Sequence, residues 1–139
     1  MKEHGIDKSQ FNNIKNGADG ESENGQVIPN KELTLDPPAP KNYAFCSDTA
    51  YNENILPLVE SVTALYHEST FLESDQHLGT KTKHSTAKEA ATIANKAKVG
   101  KLILGHYSTR YKSIELFKEE AQTVFEKVIL AEDGKVIEI

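Results

Sequence analysis

Apolar residues are distributed unevenly along the chain. The first 40 residues carry few large apolar side chains, whereas from Asn42 onward the apolar residues gather into short runs. Short apolar runs bounded by polar residues are typical of buried strands. The pattern therefore predicts three buried strands, at residues 43–46, 62–66 and 101–104.

Helices are predicted between these strands. Thr86 and Glu89 have the spacing of a capping box, and the alanines that follow recur at the spacing of one helix face. Ser113 and Asn52 are predicted to cap two further helices. The predicted helices cover residues 53–60, 86–98 and 113–125.

A hairpin is predicted at the C-terminus. Residues 128–131 and 136–139 are apolar segments that flank Asp133-Gly134, a dipeptide that favours tight turns. The predicted class is therefore an α/β fold, with a mixed sheet, helices and a terminal hairpin.

The first 40 residues differ in composition from the rest, since they hold four of the eight glycines and four of the five prolines. Residues 36–40 (Asp-Pro-Pro-Ala-Pro) are predicted to be extended, because each proline fixes φ and disfavours helix before it. Only residues 33–35 suggest a strand here. We expect a flexible Gly/Pro-rich arm and linker over residues 1–40 and one α/β domain over residues 41–139.

The net charge of −5 excludes attraction of nucleic acid or an anionic membrane by the bulk charge of the chain. RNA contact would therefore need local basic groups. Two clusters qualify, namely Lys81, Lys83 and Lys88, and Arg110 with Lys112. The sequence shows no secretion signal and no long apolar segment, and its single cysteine lies inside an apolar run, which suggests a buried thiol. A cytoplasmic protein without membrane association is expected.

Polar residues occupy the carboxyl end of each predicted strand. Asp48 follows the first strand, and His106 follows the third. His67 and Glu68 follow the second, and His84 precedes the alanine-rich helix. Because ligands of open α/β sheets bind beyond the carboxyl ends of the strands, these residues are predicted to form one site.

Each of these residues also has an ordinary structural interpretation. Asp48 suits a cap for the helix that follows it, and Glu68 suits a turn. His67 is more simply an interior histidine than a ligand, and His84 suits a solvated loop.

The remaining candidates divide in the same way. Arg110 suits the solvated surface, and Ser85 suits a helix cap. His106 is less easily explained by structure alone, because Gly105 is expected to let the backbone bend sharply before it. The coincidence of polar residues at three strand ends favours a functional site.

The residue types suit metal-assisted hydrolysis of a phosphodiester. A carboxylate such as Asp48 can bridge two metal ions, and a neutral imidazole such as His106 is a good zinc ligand. His84, just before a helix N-terminus and oriented by Glu68, could give a proton to a leaving oxygen. Arg110 could bind phosphate through its planar guanidinium group.

Four segments resemble motifs of the ribonuclease Z family. Residues 43–49 (Tyr-Ala-Phe-Cys-Ser-Asp-Thr) resemble its late aspartate motif, and residues 67–71 (His-Glu-Ser-Thr-Phe) resemble its His-Glu-Ala-Thr motif. Residues 83–87 (Lys-His-Ser-Thr-Ala) resemble its His-Ser-Thr motif, and residues 105–111 resemble its final histidine motif. The order and spacing fit over residues 25–139.

The resemblance implies the C-terminal βα half of the αββα sandwich found in the metallo-β-lactamase superfamily. It implies that Asp48 bridges two zinc ions and that His106 is a terminal ligand of the second zinc. It further implies that His84, supported by Glu68, assists departure of the 3′ oxygen when the 3′ trailer of precursor tRNA is removed. The implied phosphate-binding residues are Ser85, Ser108, Thr109 and Arg110.

The chain departs from the family pattern in one large respect. The His-x-His-x-Asp-His motif of the family and a further histidine are missing, and His4 and His77 do not make that pattern. Only Asp48 and His106 remain of the family's metal ligands, and two ligands cannot fix a dinuclear site alone. We therefore expect the isolated chain to be inactive, to retain no zinc, and to expose an apolar sheet face that favours a homodimer.

Two other functions remain open. The chain could be a non-catalytic half-domain that self-associates or binds RNA without cutting it. It could also belong to another phosphodiesterase of the metallo-β-lactamase type, although the His84 motif and the Arg110 motif count against this.

Overall fold

The computed structural model describes residues 5–139 and divides into two compact units, Met1–Pro40 and Lys41–Ile139. His4 lies outside the described residues. In the N-terminal unit, four apolar side chains are buried together, those of Ile6, Ile14, Ile28 and Leu33. The elements of this unit are a 3₁₀ helix at Lys8–Gln10, α1 (Phe11–Lys15), β1 (Gly20–Glu21), β2 (Val27–Ile28) and α2 (Asn30–Leu33), with β1 and β2 antiparallel.

The strand predicted at residues 33–35 is wrong. Leu33 ends helix α2, and Leu35 is almost fully exposed. A contact distant in sequence favours the helix, because the amide of Asn30 donates to Oδ1 of Asp19 at 2.8 Å and so satisfies a free N–H at the helix start. The flexibility of residues 1–40 stays a prediction.

The C-terminal unit is built on a four-stranded parallel sheet. Its strands lie in the order β3 (Tyr43–Cys46), β4 (Ala64–Glu68), β5 (Leu102–Gly105) and β6 (Val128–Leu130). The connections carry a 3₁₀ helix at Glu53–Ile55, α3 (Leu56–Val59), a 3₁₀ helix at Glu73–Asp75, α4 (Gln76–Thr82), α5 (Ala87–Lys96) and α6 (Glu115–Gln122). The α/β class is confirmed, with parallel and antiparallel pairing in separate sheets.

One face of the parallel sheet packs on α5 and α6. The small residues of α5 allow this close approach, and Thr86 and Glu89 form the predicted capping box at its start. The buried members of the cluster include Leu65, Ala87, Ala91, Ala94, Leu102, Leu104 and Phe117. Each large side chain buried here contributes about 1.5–3 kcal/mol to stability.

The other face of the sheet has apolar side chains in contact with solvent. Tyr43 is 49% exposed and Phe45 is 63% exposed, and both point to this face because strand residues alternate. The ring of Phe45 stacks on Tyr66 of the neighbouring strand, with centroids 4.5 Å apart.

The predicted C-terminal hairpin is wrong, because residues 136–139 form no strand. The turn itself is present, with the amide of Lys135 donating to the carbonyl of Glu132 at 3.1 Å. Of its two central residues only Gly134 has a positive φ, whereas both turn types that match the twist of paired strands need a positive φ at the first central residue, here Asp133. Residues 136–139 therefore do not pair with β6 as a strand, and the carbonyl of Glu138 instead accepts from Nζ of Lys101 at 2.9 Å.

Helix α4 was not predicted from the sequence. Its residues include Gly79, Thr80 and Thr82, which are weak helix formers. Packing explains the glycine in this helix. A Cβ at Gly79 would lie 2.7 Å from the carbonyl oxygen of His84, which leaves no room for a side chain. Among residues 5–139, no helix combines the length and apolar character needed to cross a membrane.

Candidate active site

The parallel sheet brings the predicted site residues to one edge. Glu68 is the last residue of β4, and Asp48 and His106 follow the neighbouring strands β3 and β5. His84 lies in the short connection between α4 and α5. The structure therefore brings all four of these side chains together at the carboxyl ends of the strands.

Three of these side chains could hold a metal ion. Asp48, His84 and His106 each offer one potential ligand atom, and these atoms all lie within 4.8 Å of one another. A carboxylate and two imidazoles are a donor set that suits zinc and other transition metals. The donor chemistry therefore fits a metal site, with His84 as an additional candidate ligand beside its predicted role as a proton donor.

The backbone is strained at both of the exposed candidate ligands. Asp48 has a φ of +50° and His106 a φ of +62°, in the left-handed region that non-glycine residues rarely adopt. Such conformations cost about 1–2 kcal/mol each and persist where the surroundings enforce them. Positive φ also occurs at Ser61, Lys83 and Lys98, so this conformation alone does not mark a functional residue.

Gly105 has a different role from the one expected. Its own φ is not positive, so the sharp bend falls on His106 instead. A Cβ at Gly105 would lie 2.7 Å from Cε2 of Tyr66, which is too close for any side chain. Glycine is therefore needed here to leave room for the Tyr66 ring.

Glu68 connects the strand ends to the loop before α5. It has no exposed surface, and its two carboxylate oxygens accept four hydrogen bonds. Oε1 accepts from the amide of Thr49 at 3.0 Å and is 2.8 Å from Nδ1 of His84. Oε2 accepts from the amide of Thr70 at 3.1 Å and from its hydroxyl at 2.8 Å. Four donors match the acceptor capacity of an ionised carboxylate.

His84 is held in a defined orientation by its neighbours. Because Nδ1 donates to Glu68, the neutral imidazole of His84 carries its lone pair on Nε2. Its ring stacks on His106 with centroids 5.2 Å apart and meets the edge of Phe71 at 6.5 Å.

Thr70 is a site residue that the sequence analysis did not single out. Its hydroxyl oxygen lies 2.8 Å from Nδ1 of His106 as well as 2.8 Å from Oε2 of Glu68. Its position in the His-Glu-Ser-Thr segment was the only available signal, and that signal did not indicate which histidine it contacts.

The ordinary interpretations hold for one candidate and fail for another. His67 is an interior histidine with Nδ1 2.8 Å from the carbonyl oxygen of Glu68, and burial lowers the pKa of its imidazole. Asp48 is not the cap of the following helix, since Asn52 accepts from the amide of Asn54 at 3.0 Å in that role.

Cys46 is only half-buried, and this burial raises the pKa of its thiol.

The predicted phosphate-binding residues differ in accessibility. Ser85 is fully buried and its hydroxyl donates to the carbonyl of Thr49 at 2.6 Å, which suits a role in holding the loop. Ser108 is partly exposed, and Thr109 is exposed. Arg110 has a guanidinium nitrogen 3.4 Å from Asp75 and lies over the Phe71 ring.

Solved structures identify the fold class. The metallo-β-lactamase fold protein YhfI from Bacillus subtilis matches with a TM-score of 0.63 and 30% identity, over 68% of this chain and 38% of YhfI. The short form of human tRNase Z matches with a TM-score of 0.57 and 25% identity, over 81% of this chain and 36% of that protein. The chain therefore has part of a metallo-β-lactamase fold.

Sequence relatives identify one group within that class. Ribonuclease Z of Parabacteroides distasonis is 50% identical over 121 residues, which are 87% of this chain and 40% of the relative. Ribonuclease Z of Porphyromonas gingivalis is 42% identical over 136 residues, which are 98% of this chain and 45% of the relative. No protein-family profile matches the chain. The chain is a homologue of ribonuclease Z and spans less than half the length of these relatives.

Proposed function

We propose that this chain supplies part of the active site of a zinc-dependent endoribonuclease. The reaction is removal of the 3′ trailer from precursor tRNA, by hydrolysis of a phosphodiester that leaves a 3′-hydroxyl on the tRNA. The observation that carries the proposal is the convergence of Asp48, His84 and His106 at one sheet edge, with potential ligand atoms within 4.8 Å of one another. The homology to ribonuclease Z supports the reaction class.

Each residue has a distinct part in this reaction. In the complete enzyme Asp48 and His106 would hold zinc, and the metal would supply Lewis-acid activation of the attacking water. His84, once Nε2 is protonated as well as Nδ1, would donate the Nε2 proton to the departing 3′ oxygen of the tRNA. Glu68 accepts from Nδ1 of His84 at 2.8 Å, which fixes the orientation of the ring.

The scissile phosphate is proposed to contact Ser108, Thr109 and Arg110. Arg110 has an exposed guanidinium group whose bond to Asp75 is long, at 3.4 Å, so substrate phosphate can compete for it. Lys88, by contrast, is held by both carboxylate oxygens of Glu73, at 2.7 and 2.8 Å. Arg110 is therefore the better candidate for RNA contact of these two cations.

We further propose that the 139 residues alone do not cut RNA and do not retain zinc, because they lack the His-x-His-x-Asp-His motif. A complete site needs more ligands than Asp48 and His106 provide for two metal ions. A cytoplasmic location fits a tRNA substrate and is part of the same proposal.

A chimera tests the proposal directly. The segment of Parabacteroides distasonis ribonuclease Z that matches this chain would be replaced by the corresponding residues of this chain, which are 50% identical. We expect the chimera to cleave end-labelled precursor tRNA with zinc present and to leave a 3′-hydroxyl, whereas the isolated chain does not cleave it.

Variants of the chimera assign the activity to these residues. Removal of the imidazole in His84→Ala is expected to reduce the cleavage rate about 10²–10⁴-fold, the usual contribution of a general acid. His77→Ala, at an exposed position of α4, is the matched control and should retain the rate. A folded chimera that binds precursor tRNA without cutting it would contradict the proposal, as would equal rates for His84→Ala and His77→Ala.

One observation favours a second candidate function, a non-catalytic half-domain that self-associates. The half-exposed Tyr43 and the more exposed Phe45 form an apolar patch with Tyr66 on the open sheet face. A homodimer would cover this patch. Robust cleavage by the isolated chain with tightly bound zinc would exclude this candidate.

A further inference from the structure

The hydroxyl of Thr70 lies between a buried carboxylate and a candidate metal ligand. Its oxygen is 2.8 Å from Oε2 of Glu68 and 2.8 Å from Nδ1 of His106. A hydroxyl group has one hydrogen to donate, so it can donate to only one of these two partners.

The surroundings of Glu68 decide the direction of these bonds. The two oxygens of this carboxylate already accept from the amides of Thr49 and Thr70 and from Nδ1 of His84, and the carboxylate carries no hydrogen to donate back. The hydroxyl of Thr70 must therefore donate to Glu68, because otherwise two acceptors would face each other at 2.8 Å without a hydrogen. Its oxygen is then an acceptor towards His106.

We propose that Thr70 is a positioning residue that places the proton of neutral His106 on Nδ1 and so leaves the lone pair of Nε2 facing Asp48. Nε2 of His106 lies 3.4 Å from Oδ1 of Asp48. This separation is longer than that of a charge-assisted hydrogen bond, which is about 2.7–2.9 Å. Without a proton on Nε2, these two atoms are both electron-pair donors, and a cation between them can bind both.

Glu68 would therefore support both proposed functions of the site, proton donation by His84 and metal binding by His106. Glu68 orients His84 directly and orients His106 through Thr70, so one buried carboxylate sets the tautomer of both rings. Hydrogen bonds of this kind to the far nitrogen of a histidine ligand raise its affinity for metal. This consequence rests on the proposed function, whereas the tautomer itself is a property of the chain alone.

The test is a two-bond ¹H–¹⁵N correlation spectrum of the 139-residue protein labelled with ¹⁵N-histidine, at a pH of about 8.5, where ordinary imidazoles are neutral. His106 is assigned by comparison with His106→Gln. We expect a protonated Nδ1 and an unprotonated Nε2 for His106. A protonated Nε2 in the unsubstituted chain would overturn the proposal, whatever the outcome of the cleavage assays.

Two substitutions examine the cause. Thr70→Val keeps the shape and removes the hydroxyl, so the proton of His106 is expected to move mainly to Nε2, whereas Thr70→Ser should retain it on Nδ1. Thr92→Val is the matched control, since its hydroxyl donates to the carbonyl of Lys88 within α5, away from the histidines. An unchanged His106 tautomer in folded Thr70→Val would overturn the proposal. In the chimera, Thr70→Val is expected to weaken zinc binding about 10–100-fold, and affinity equal to that of Thr92→Val would also contradict the inference.

Discussion

Nδ1 of His84 lies 2.8 Å from Oε1 of Glu68, a carboxylate with no exposed surface. The same carboxylate receives the amides of Thr49 and Thr70, so it fixes the ends of β3 and β4 relative to the loop before α5. Glu68 is therefore a structural support for the site as well as the partner of its proposed proton donor.

Glu68→Gln is expected to lower the free energy of unfolding by about 2–4 kcal/mol. The NH₂ group of the new glutamine would face hydrogen-bond donors that now donate to a carboxylate oxygen, so donor would meet donor. Because the site is buried, water cannot replace the lost hydrogen bonds. Urea denaturation followed by circular dichroism measures the change.

Glu132→Gln is the control for this substitution. Glu132 is exposed and pairs with Lys135 at 2.8 Å on the surface, where such pairs contribute little. If the two variants unfolded at the same urea concentration, the structural role of Glu68 would be refuted.

The sequence predicted the clustering of these side chains better than it predicted the elements around them. The apolar runs located three strands, and parallel pairing then brings the polar residues after them to one edge, where Asp48, Glu68 and His106 are found. This inference needs only the order of strands and helices. It is independent of the exact ends of each element.

The contacts that could not be predicted from the sequence join residues that are distant from each other in the chain. The link from Thr70 to His106 joins positions 36 residues apart, and the helix over Asn30–Leu33 depends on Asp19. The sequence favours a bend at Gly105, whereas the crowding of Gly105 by Tyr66 depends on the pairing of β4 with β5. Local pattern carries no information on such contacts.

Gly105→Ala is expected to destabilise the C-terminal unit by about 1–3 kcal/mol, as other overpacked sites do. The added methyl group would meet the ring of Tyr66, which is held on its other side by stacking on Phe45. Since His106 follows directly, its position should also shift. Thermal denaturation and the histidine spectrum of the variant check the two effects.

A double-mutant cycle with Tyr66→Leu identifies the cause of that destabilisation. Leucine lacks the ring atoms that the new methyl group would meet, so the cost of Gly105→Ala should be smaller in the Tyr66→Leu background. Additive effects of the two substitutions would show that the crowding by Tyr66 is not responsible.

Phe45→Glu is expected to shift the isolated chain from dimer to monomer. Phe45 is 63% exposed on the open sheet face, and a charge there would be unfavourable in an apolar interface. Sedimentation velocity over a range of concentrations measures the change.

Leu58→Glu places the same charge at an apolar residue that is 80% exposed in α3, and it should leave the association unaltered. An unsubstituted chain that is monomeric at all concentrations would contradict the prediction.

The buried His67 predicts a loss of stability in acid. Nδ1 of His67 bonds to the carbonyl of Glu68, whereas Nε2 is buried without a partner among residues 5–139, so protonation would place an unpaired charge in the core. Burial lowers the pKa of His67 in the folded state below the value of about 6.5 in the unfolded chain. The unfolded chain therefore takes up a proton first as the pH falls below about 6.5, and stability decreases by up to about 1.4 kcal/mol per pH unit until the folded pKa is reached.

His67→Asn removes this titration, so the dependence of the free energy of unfolding on pH between about 6.5 and 5 should become shallower. His77→Asn, at an exposed position, should keep the original dependence. Equal slopes for the original chain and His67→Asn would show that His67 is not the group responsible.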